Sequence, residues 1–391
     1  MKIDRSAFVG CLILWAAGLH PVGAQDDAAA PEKNLQFFLE IDAWNAQPLG
    51  LEYEPATVGD PDSVVGPEII EFEQEPETAV YYRAGISLGP NVGEFKASWY
   101  EQDQQNSLDQ RTASIFGFGE SLAYPLFAGY ENDGLADGFT STATTGYSEL
   151  RFDFRRIAFR SDRLTGKWFV GVRRVTHDRA LNVDYYALAP SPPTVPPTSV
   201  PRPDLLPQPD QASISSEFIG RGIEGGMDFH VPLSGDRFAL EAGFGVAVLR
   251  GHLDASYSST NSLYLVEETE GVFVVAKAPY DYFYDPSGTG LVVDNVTQAS
   301  STFRLTADSR TTVSPVIDLY LGFRARIWKA LELVVGWRST YYGDVGVDLR
   351  PKSFTVVPTS DDTTAVNFVD VDEVDRSVDY QGAYLGVAFS F

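Results

Sequence analysis

At residues 316–328 the chain reads VIDLYLGFRARIW, and its apolar positions fall on every second residue. Ile317, Leu319, Leu321, Phe323, Ala325 and Ile327 make one face; Asp318, Tyr320, Gly322, Arg324 and Arg326 make the other. A period of two is that of a strand, whose side chains alternate across the sheet. Residues 330–342 repeat the scheme, with Leu331, Leu333, Val335 and Trp337 against Glu332, Gly336, Arg338 and Thr340. Only the tripeptide WKA separates the two runs, so they predict a hairpin. Soluble strands usually span about 5–6 residues. These runs have instead the length of a tilted transmembrane strand, about 9–11 residues.

The same alternation predicts eight further strands. Phe37, Leu39, Ile41 and Ala43 oppose Phe38, Glu40 and Asp42; Tyr82, Ala84, Ile86 and Leu88 oppose Arg83, Gly85 and Ser87. Phe95, Ala97 and Trp99 oppose Lys96 and Ser98; Leu150, Phe152 and Phe154 oppose Glu149, Arg151, Asp153 and Arg155. Trp168, Val170 and Val172 oppose Phe169, Gly171 and Arg173. Ile219, Ile223, Met227 and Phe229 oppose Gly220, Gly222, Glu224 and Asp228; Phe238, Leu240, Ala242, Phe244 and Val246 oppose Glu241, Gly243 and Gly245. The terminal AYLGVAFSF closes the set, with Leu385, Val387, Phe389 and Phe391 against Tyr384, Gly386, Ala388 and Ser390. Two positions break the pattern: Arg221 interrupts an apolar face, and Arg174 stands at a strand end.

The connections alternate in length. GPNVG, SDRLTG, VPLSGD and WKA are short; residues 45–78, 101–145, 178–214, 250–312 and 343–377 are long. Short turns on one side and long loops on the other are the mark of an outer-membrane barrel with both termini in the periplasm. The expected fold is therefore all-β, a transmembrane antiparallel up-and-down barrel over residues 35–391. It has ten strands, or twelve if SLYLVEETEGVFVVAKA enters the wall as another hairpin. Trp44 and Trp99 fall at outer strand ends, Trp168 and Trp328 at inner ends, as interfacial girdles require.

This assignment turns the charged face inward. Expected to line the lumen are Glu40, Asp42, Arg83, Lys96, Arg151, Asp153, Arg155, Arg173, Glu224, Asp228, Glu241, Asp318, Arg324, Arg326, Glu332 and Arg338. Two outcomes fit so balanced a set: pairing across the lumen that closes it, or a wet path that sets ion preference. Gly220, Gly222, Gly225, Gly226, Gly243 and Gly245 lie on adjacent strands, where bulky neighbours, an inserted loop or a tight bend would explain them equally.

Charge and export add to the picture. A formal net charge of -25 excludes a polyphosphate partner, so no nucleic acid is expected. Residues 1–24 read as a cleaved export signal: Lys2 and Arg5, the apolar run AFVGCLILWAAGL, then Val22 and Ala24 flanking the cleavage site. Residues 25–34 follow as a periplasmic segment, and the one cysteine, Cys11, falls within the signal. Residues 45–78 carry nine carboxylates and no base. Residues 343–377 carry eight acids and three bases. These loops read as a solvated acidic surface facing lipopolysaccharide, or as weak calcium sites at Asp60 with Asp62 and at Asp370, Asp372, Glu373 and Asp375, although no twelve-residue calcium loop is present. ALAPSPPTVPPTSVPRPDLLPQPD reads as an extended spacer.

Histidine and acid pairs raise the question of hydrolysis. Asp228 and His230 lie at the periplasmic end; His177 with Asp178 and His252 with Asp254 lie near the outer rim. Such pairs are expected by chance among many rim acids, so no enzyme is expected, and neither a cofactor nor a metal site.

Finally, FIGRGIEGGMDFHVPLSGDRFALEAGFGVAVLRGHLD, TVSPVIDLYLGFRARIW, GWRSTYY and the terminal YLGVAFSF together resemble the Legionella-type major outer-membrane protein family, most clearly over residues 218–391. The resemblance implies a pore-like barrel. Gly386, Phe389 and Phe391 also resemble the terminal signal read by the outer-membrane assembly machinery. The sequence thus points to an outer-membrane barrel among lipid and lipopolysaccharide. It is expected to act as a small passive pore for ions or small solutes, or alternatively as a non-conducting surface barrel for adhesion, partner binding or envelope stability.

Overall fold

The structure is a computed structural model. It describes residues 35–50, 53–59, 68–72, 74–89, 92–111, 121–123, 135–136, 138–161, 163–186, 210–234, 237–267, 273–277, 296–358 and 364–391. The export signal, the segment 25–34 and most of the proline-rich stretch lie outside these residues, as do Asp60 and Asp62.

Ten long antiparallel strands form a closed barrel. They are β1 (Gln36–Leu49), β2 (Glu77–Ser87), β3 (Glu94–Arg111), β4 (Gly138–Arg160) and β5 (Thr165–Tyr186). They continue as β6 (Asp210–Ser234), β7 (Phe238–Glu267), β8 (Val296–Trp328), β9 (Leu331–Pro358) and β10 (Thr364–Ser390). Each strand pairs with its neighbours in sequence, and β10 pairs with β1 to close the wall. At that seam the Phe37 N–H donates to the Phe391 carbonyl at 3.1 Å, and the Phe391 N–H donates back to Phe37 at 2.9 Å. Full closure leaves no wall edge to pair with another chain or to face lipid unpaired.

The twelve-strand alternative does not hold. The short strand Phe273–Lys277 pairs with Leu263–Glu267 of β7, beyond the last β6 partner of that strand, Thr260. That hairpin therefore extends the extracellular end of the sheet and does not enter the wall. The first two long connections also carry structure: Glu68–Phe72, Tyr53–Gly59, Ser121–Ala123 and Leu135–Ala136 form a separate four-stranded sheet in that order.

Four of the five expected long loops are largely strand. β8 runs for 33 residues and β7 for 30, about three times what a bilayer needs. The reason is an inversion of the two faces, seen along β5, β6 and β7. In the periplasmic half of β5, Trp168, Val170 and Val172 point outward while Phe169, Gly171 and Arg173 point inward. Beyond Val172 the outward residues become Arg174, Thr176, Asp178, Asn182 and Asp184, and the inward ones Val175, His177, Arg179, Leu181 and Val183. β6 and β7 change over in the same way, to Ala212, Ile214 and Phe218 and to Leu249, Leu253 and Tyr257 inside. An apolar face toward lipid gives way to an apolar face toward the barrel axis.

β9 needs a backbone adjustment to join this scheme. Pairing with β10 shifts between Tyr342 and Gly346, and Asp344 there takes φ 52°. Aspartate is one of the few side chains that tolerates the left-handed region. The shift accommodates two extra residues on β9. Beyond it Val345, Val347 and Leu349 are buried in the core, while Asp348 meets Arg179 at 3.2 Å and Arg376 at 2.9 Å.

Outside the periplasmic half lies an unbroken belt that includes Phe152, Val172, Ile223, Val246, Leu319 and Leu385; Ile223 is 70% exposed. Trp99 has outward parity but is 5% exposed, stacked on Tyr82 at 5.5 Å, and Trp168 meets Phe154 edge-on at 5.7 Å. Trp44 departs from the expected girdle. It shares the even-numbered face of Glu40 and Asp42, lies 1% exposed inside, and donates its indole N–H to the Gly382 carbonyl at 3.3 Å. The inward glycines meet aromatics of the wall itself: Phe169 lies over Gly226 and Gly245, and Tyr320 over Gly243. Gly225 instead has the outward parity of Ile223 and Met227.

The seam at Phe391 yields a first prediction. Deleting Phe391 removes both closing hydrogen bonds and the ring stacked on Phe389 at 6.4 Å. The truncated chain is expected to accumulate in the periplasm without the heat-dependent gel mobility of a folded barrel. Normal membrane insertion would contradict this.

Candidate functional site

The sixteen inward-face residues come together in the periplasmic half of the barrel. A cavity of about 550 Å³ starts among Gln36, Thr165, Arg326, Glu332 and Ser390 at the periplasmic strand ends and reaches Arg151, Asp318 and Arg338. Its wall is laid out as linked ion pairs. Arg83 meets Glu40 at 2.6 Å and Asp42 at 3.0 Å. Arg324 holds Glu241 at 2.8 Å and Glu332 at 2.9 Å, with Glu40 at 3.7 Å, and Arg326 reaches Glu332 at 3.0 Å nearer the mouth. Arg155 bridges Asp153, at 2.5 Å, and Asp228, which also accepts from the Tyr320 hydroxyl at 2.8 Å. Lys96 lines the cavity among these pairs.

The cavity ends on a denser network. Arg151 of β4 gives Asp318 of β8 a bidentate contact, 3.0 Å at each oxygen, and donates to Glu149 at 2.8 Å. Arg173 of β5 donates to Asp318 at 2.8 Å and to Glu149 at 2.9 Å. Glu224 of β6 sits 3.9 Å from both guanidiniums. Thr340 donates to Asp318 at 2.8 Å, and Arg338 of β9 lies 3.8 Å from Glu149. These charges come from five strands and meet across the axis, so the network both fills the lumen and ties opposite walls.

Sequence reasoning missed the layer above. Tyr147, Tyr342 and Tyr81 donate to Glu149 at 2.6, 2.7 and 3.2 Å. Their rings join Trp44, Tyr100 and Tyr380 in the apolar core that fills the extracellular half. Parity held the signal: Tyr81 stands two residues from Arg83, Tyr147 two from Glu149, and Tyr342 two from Thr340. Gly386 of the expected assembly signal also serves the interior, since a Cβ there would come within 1.8 Å of Asp42 Oδ1. Phe389 and Phe391 face outward.

The histidine pairs separate in space. His177 points into the core, 1% exposed and edge-on to Tyr380 at 6.1 Å, while Asp178 points outward. His252 and Asp254 are both outward and exposed. His230 is inward and meets Glu241 at 3.4 Å at the periplasmic mouth. Among the described residues no cluster of three metal-ligating side chains occurs.

A closed ten-stranded up-and-down barrel with a lipid-facing apolar belt and charges turned inward is an outer-membrane β-barrel. No protein-family model matches the chain, and no curated protein does, so the resemblance to the Legionella-type family gains no support. Among solved structures it is similar to the outer membrane protease OmpT from Escherichia coli, at 8% identity, 94% of this chain, 100% of that chain and a TM-score of 0.43. It is also similar to the Ralstonia pickettii toluene transporter TbuX, at 10% identity, 91% and 88% coverage and a TM-score of 0.25. The Pseudomonas putida toluene transporter TodX follows at 10% identity, 92% and 90% coverage and a TM-score of 0.20. Likeness at this level transfers neither activity nor ligand.

Two predictions follow from the interior. Glu149→Gln leaves Arg151 and Arg173 short of a buried counter-charge, a loss of about 3–5 kcal/mol for such pairs. Urea unfolding in detergent should show it, and an unchanged midpoint would contradict the pairing. His177 lies past the lipid boundary, where its neighbours Thr176 and Asp178 face water. Burial first, and Arg179 second, push its imidazole down to about 3. Because the unfolded chain protonates near pH 6.5, stability is full above that pH and falls as pH drops toward 3. The loss is about 1.4 kcal/mol per pH unit. His177→Phe should flatten this slope relative to the native chain; parallel profiles would refute it.

Proposed function

We propose that this protein is a non-conducting outer-membrane barrel that presents a rigid extracellular barrel and its loops at the cell surface for partner binding or envelope stability. One observation carries the reading: the inversion of the strand faces. Above the Glu149–Arg151–Arg173–Asp318 network the barrel axis is filled by a packed apolar core containing Trp44, Tyr100, Phe218, Leu249, Tyr257 and Val347, each 2% exposed or less. A passive pore for ions or small solutes needs a continuous wet path. Among the described residues the polar cavity leads instead to buried ion pairs and then to this core. The cavity is a vestibule open to the periplasm.

The length of the strands supports the same reading. Diffusion through a bilayer needs about 9–11 residues per strand. β6 to β10 have 25 to 33, and the described extracellular parts of β5, β6 and β7 follow the polar-out, apolar-in pattern of a soluble barrel. Material invested in rigid structure outside the membrane is of use for contact, not for passage. In this reading the chain is exported with a cleaved signal, inserted by the assembly machinery that reads Gly386, Phe389 and Phe391, and held in the outer membrane of a Gram-negative cell among lipid and lipopolysaccharide.

Planar-bilayer recording decides between the two. Refolded protein with verified heat-dependent mobility is expected to give no single-channel steps across a range of voltages. Reproducible steps from such protein would overturn the closed reading in favour of a pore.

A further inference from the structure

We propose that Arg174, Arg221 and Arg250 form a binding site for the phosphate groups of an outer-leaflet glycolipid. The three lie on adjacent strands β5, β6 and β7, and the pairing sets them side by side: Arg221 is the direct partner of Arg174 on one side and of Arg250 on the other. All three point outward, Arg221 and Arg250 exposed and Arg174 half-buried. Like charges directly opposite across a sheet repel, with Cβ atoms about 5 Å apart. Here that repulsion acts twice on Arg221.

Their height is that of lipid headgroups. On β5 Arg174 is the first polar residue after Trp168, Val170 and Val172; on β7 Arg250 is the first after Phe244, Val246 and Val248. Arg221 follows Ile223 on β6. No carboxylate among the described residues lies within 4.0 Å of any of the three guanidiniums. The nearest acidic row on these strands, Asp178, Glu217 and Asp254, is also in register, but four residues farther out. At about 3.3 Å of rise per residue that is about 13 Å along the strands, beyond the screening length of about 8 Å at physiological salt. The acids therefore do not neutralise the arginines. They repel an anion that strays outward and so fix its depth.

Guanidinium groups present a planar fork that binds phosphate oxygens bidentately. Three forks in a row at the outer boundary of the belt match an amphiphile with phosphates at the headgroup and acyl chains along the apolar wall below, where Val172, Ile223 and Val248 lie. In a chain of net charge -25, no other strand places a described basic residue outward at this boundary. The inference rests on the outer-membrane placement of the belt, and it stands whether or not the lumen conducts.

The test uses the folded, delipidated full-length protein in detergent micelles, titrated with bisphosphorylated lipid A and followed by native mass spectrometry. One lipid should be retained. Lipid A stripped of both phosphates should bind about tenfold more weakly or worse, as should bisphosphorylated lipid A to R174Q/R221Q/R250Q. Equimolar inorganic phosphate should not displace it. Equal binding of the dephosphorylated lipid, undiminished binding by the variant, or displacement by free phosphate would each overturn the site. Heat-dependent gel mobility verifies the fold of each variant, and R221Q alone carries the test should the triple variant fail to fold. Native protein that lacked this mobility would sink the membrane reading itself, a failure distinct from loss of lipid binding.

Discussion

A strand has two faces and a fixed alternation between them, and each long strand of this barrel crosses two surroundings. In lipid the outward face must be apolar, because no water is present to solvate charge. The charges then have only the interior to occupy. In water outside the cell the demand reverses, since a barrel there gains stability by hiding apolar side chains. β5, β6 and β7 meet both demands without a change of parity, by exchanging the composition of their faces near Val172, Ile223 and Val248. β9 shifts its register around Asp344, and beyond the shift Val345, Val347 and Leu349 are buried in the same core.

That exchange creates a joint inside the barrel, where buried charge meets buried hydrocarbon. An arginine or carboxylate at such a boundary needs partners with an apolar body and a polar tip. Tyr81, Tyr147 and Tyr342 have this form. Their hydroxyls turn down to Glu149 and their rings turn up among Trp44, Tyr100 and Tyr380. Arg338 follows the same logic from the charged side, with its guanidinium 4.4 Å from the Tyr81 ring centroid and 5.0 Å from that of Trp44. The joint also accounts for closure. Ion pairs joining β4, β5 and β8 hold the walls together beneath a core that excludes water, and an excluded path strengthens those pairs in turn.

The lower half of the barrel was legible in the sequence because lipid enforces a single pattern there. Ten strands, their order and the inward parity of residues such as Arg151, Arg173 and Asp318 all follow from period two with an apolar outer face. The upper half was not legible by that rule. Residues 178–184 keep period two, but with Leu181 and Val183 inside and Asn182 and Asp184 outside, so a search for lipid-facing runs reads them as loop. Trp44 escapes the same rule: its position at a strand end suggests the girdle, whereas its even-numbered parity places it inside. Nor does a sequence state which charges meet. Arg151 and Asp318 are 167 positions apart, and only closure of the sheet brings them within 3.0 Å.

The two irregularities in the outward pattern are where the inversion meets the membrane surface. Arg221 looks like a defect in an apolar face only while β6 is read alone; beside Arg174 and Arg250 it becomes the centre of a row. On β2 and β3 the same row of pairings carries stacked Tyr82 and Trp99, of outward parity, with Trp99 5% exposed. The rim is thus divided into an aromatic sector and a cationic sector. An aromatic girdle alone fixes depth and leaves the barrel free to turn among its lipids. Adding arginines on three strands gives the rim a direction, because phosphates gather on that side while the acidic surface above repels them elsewhere.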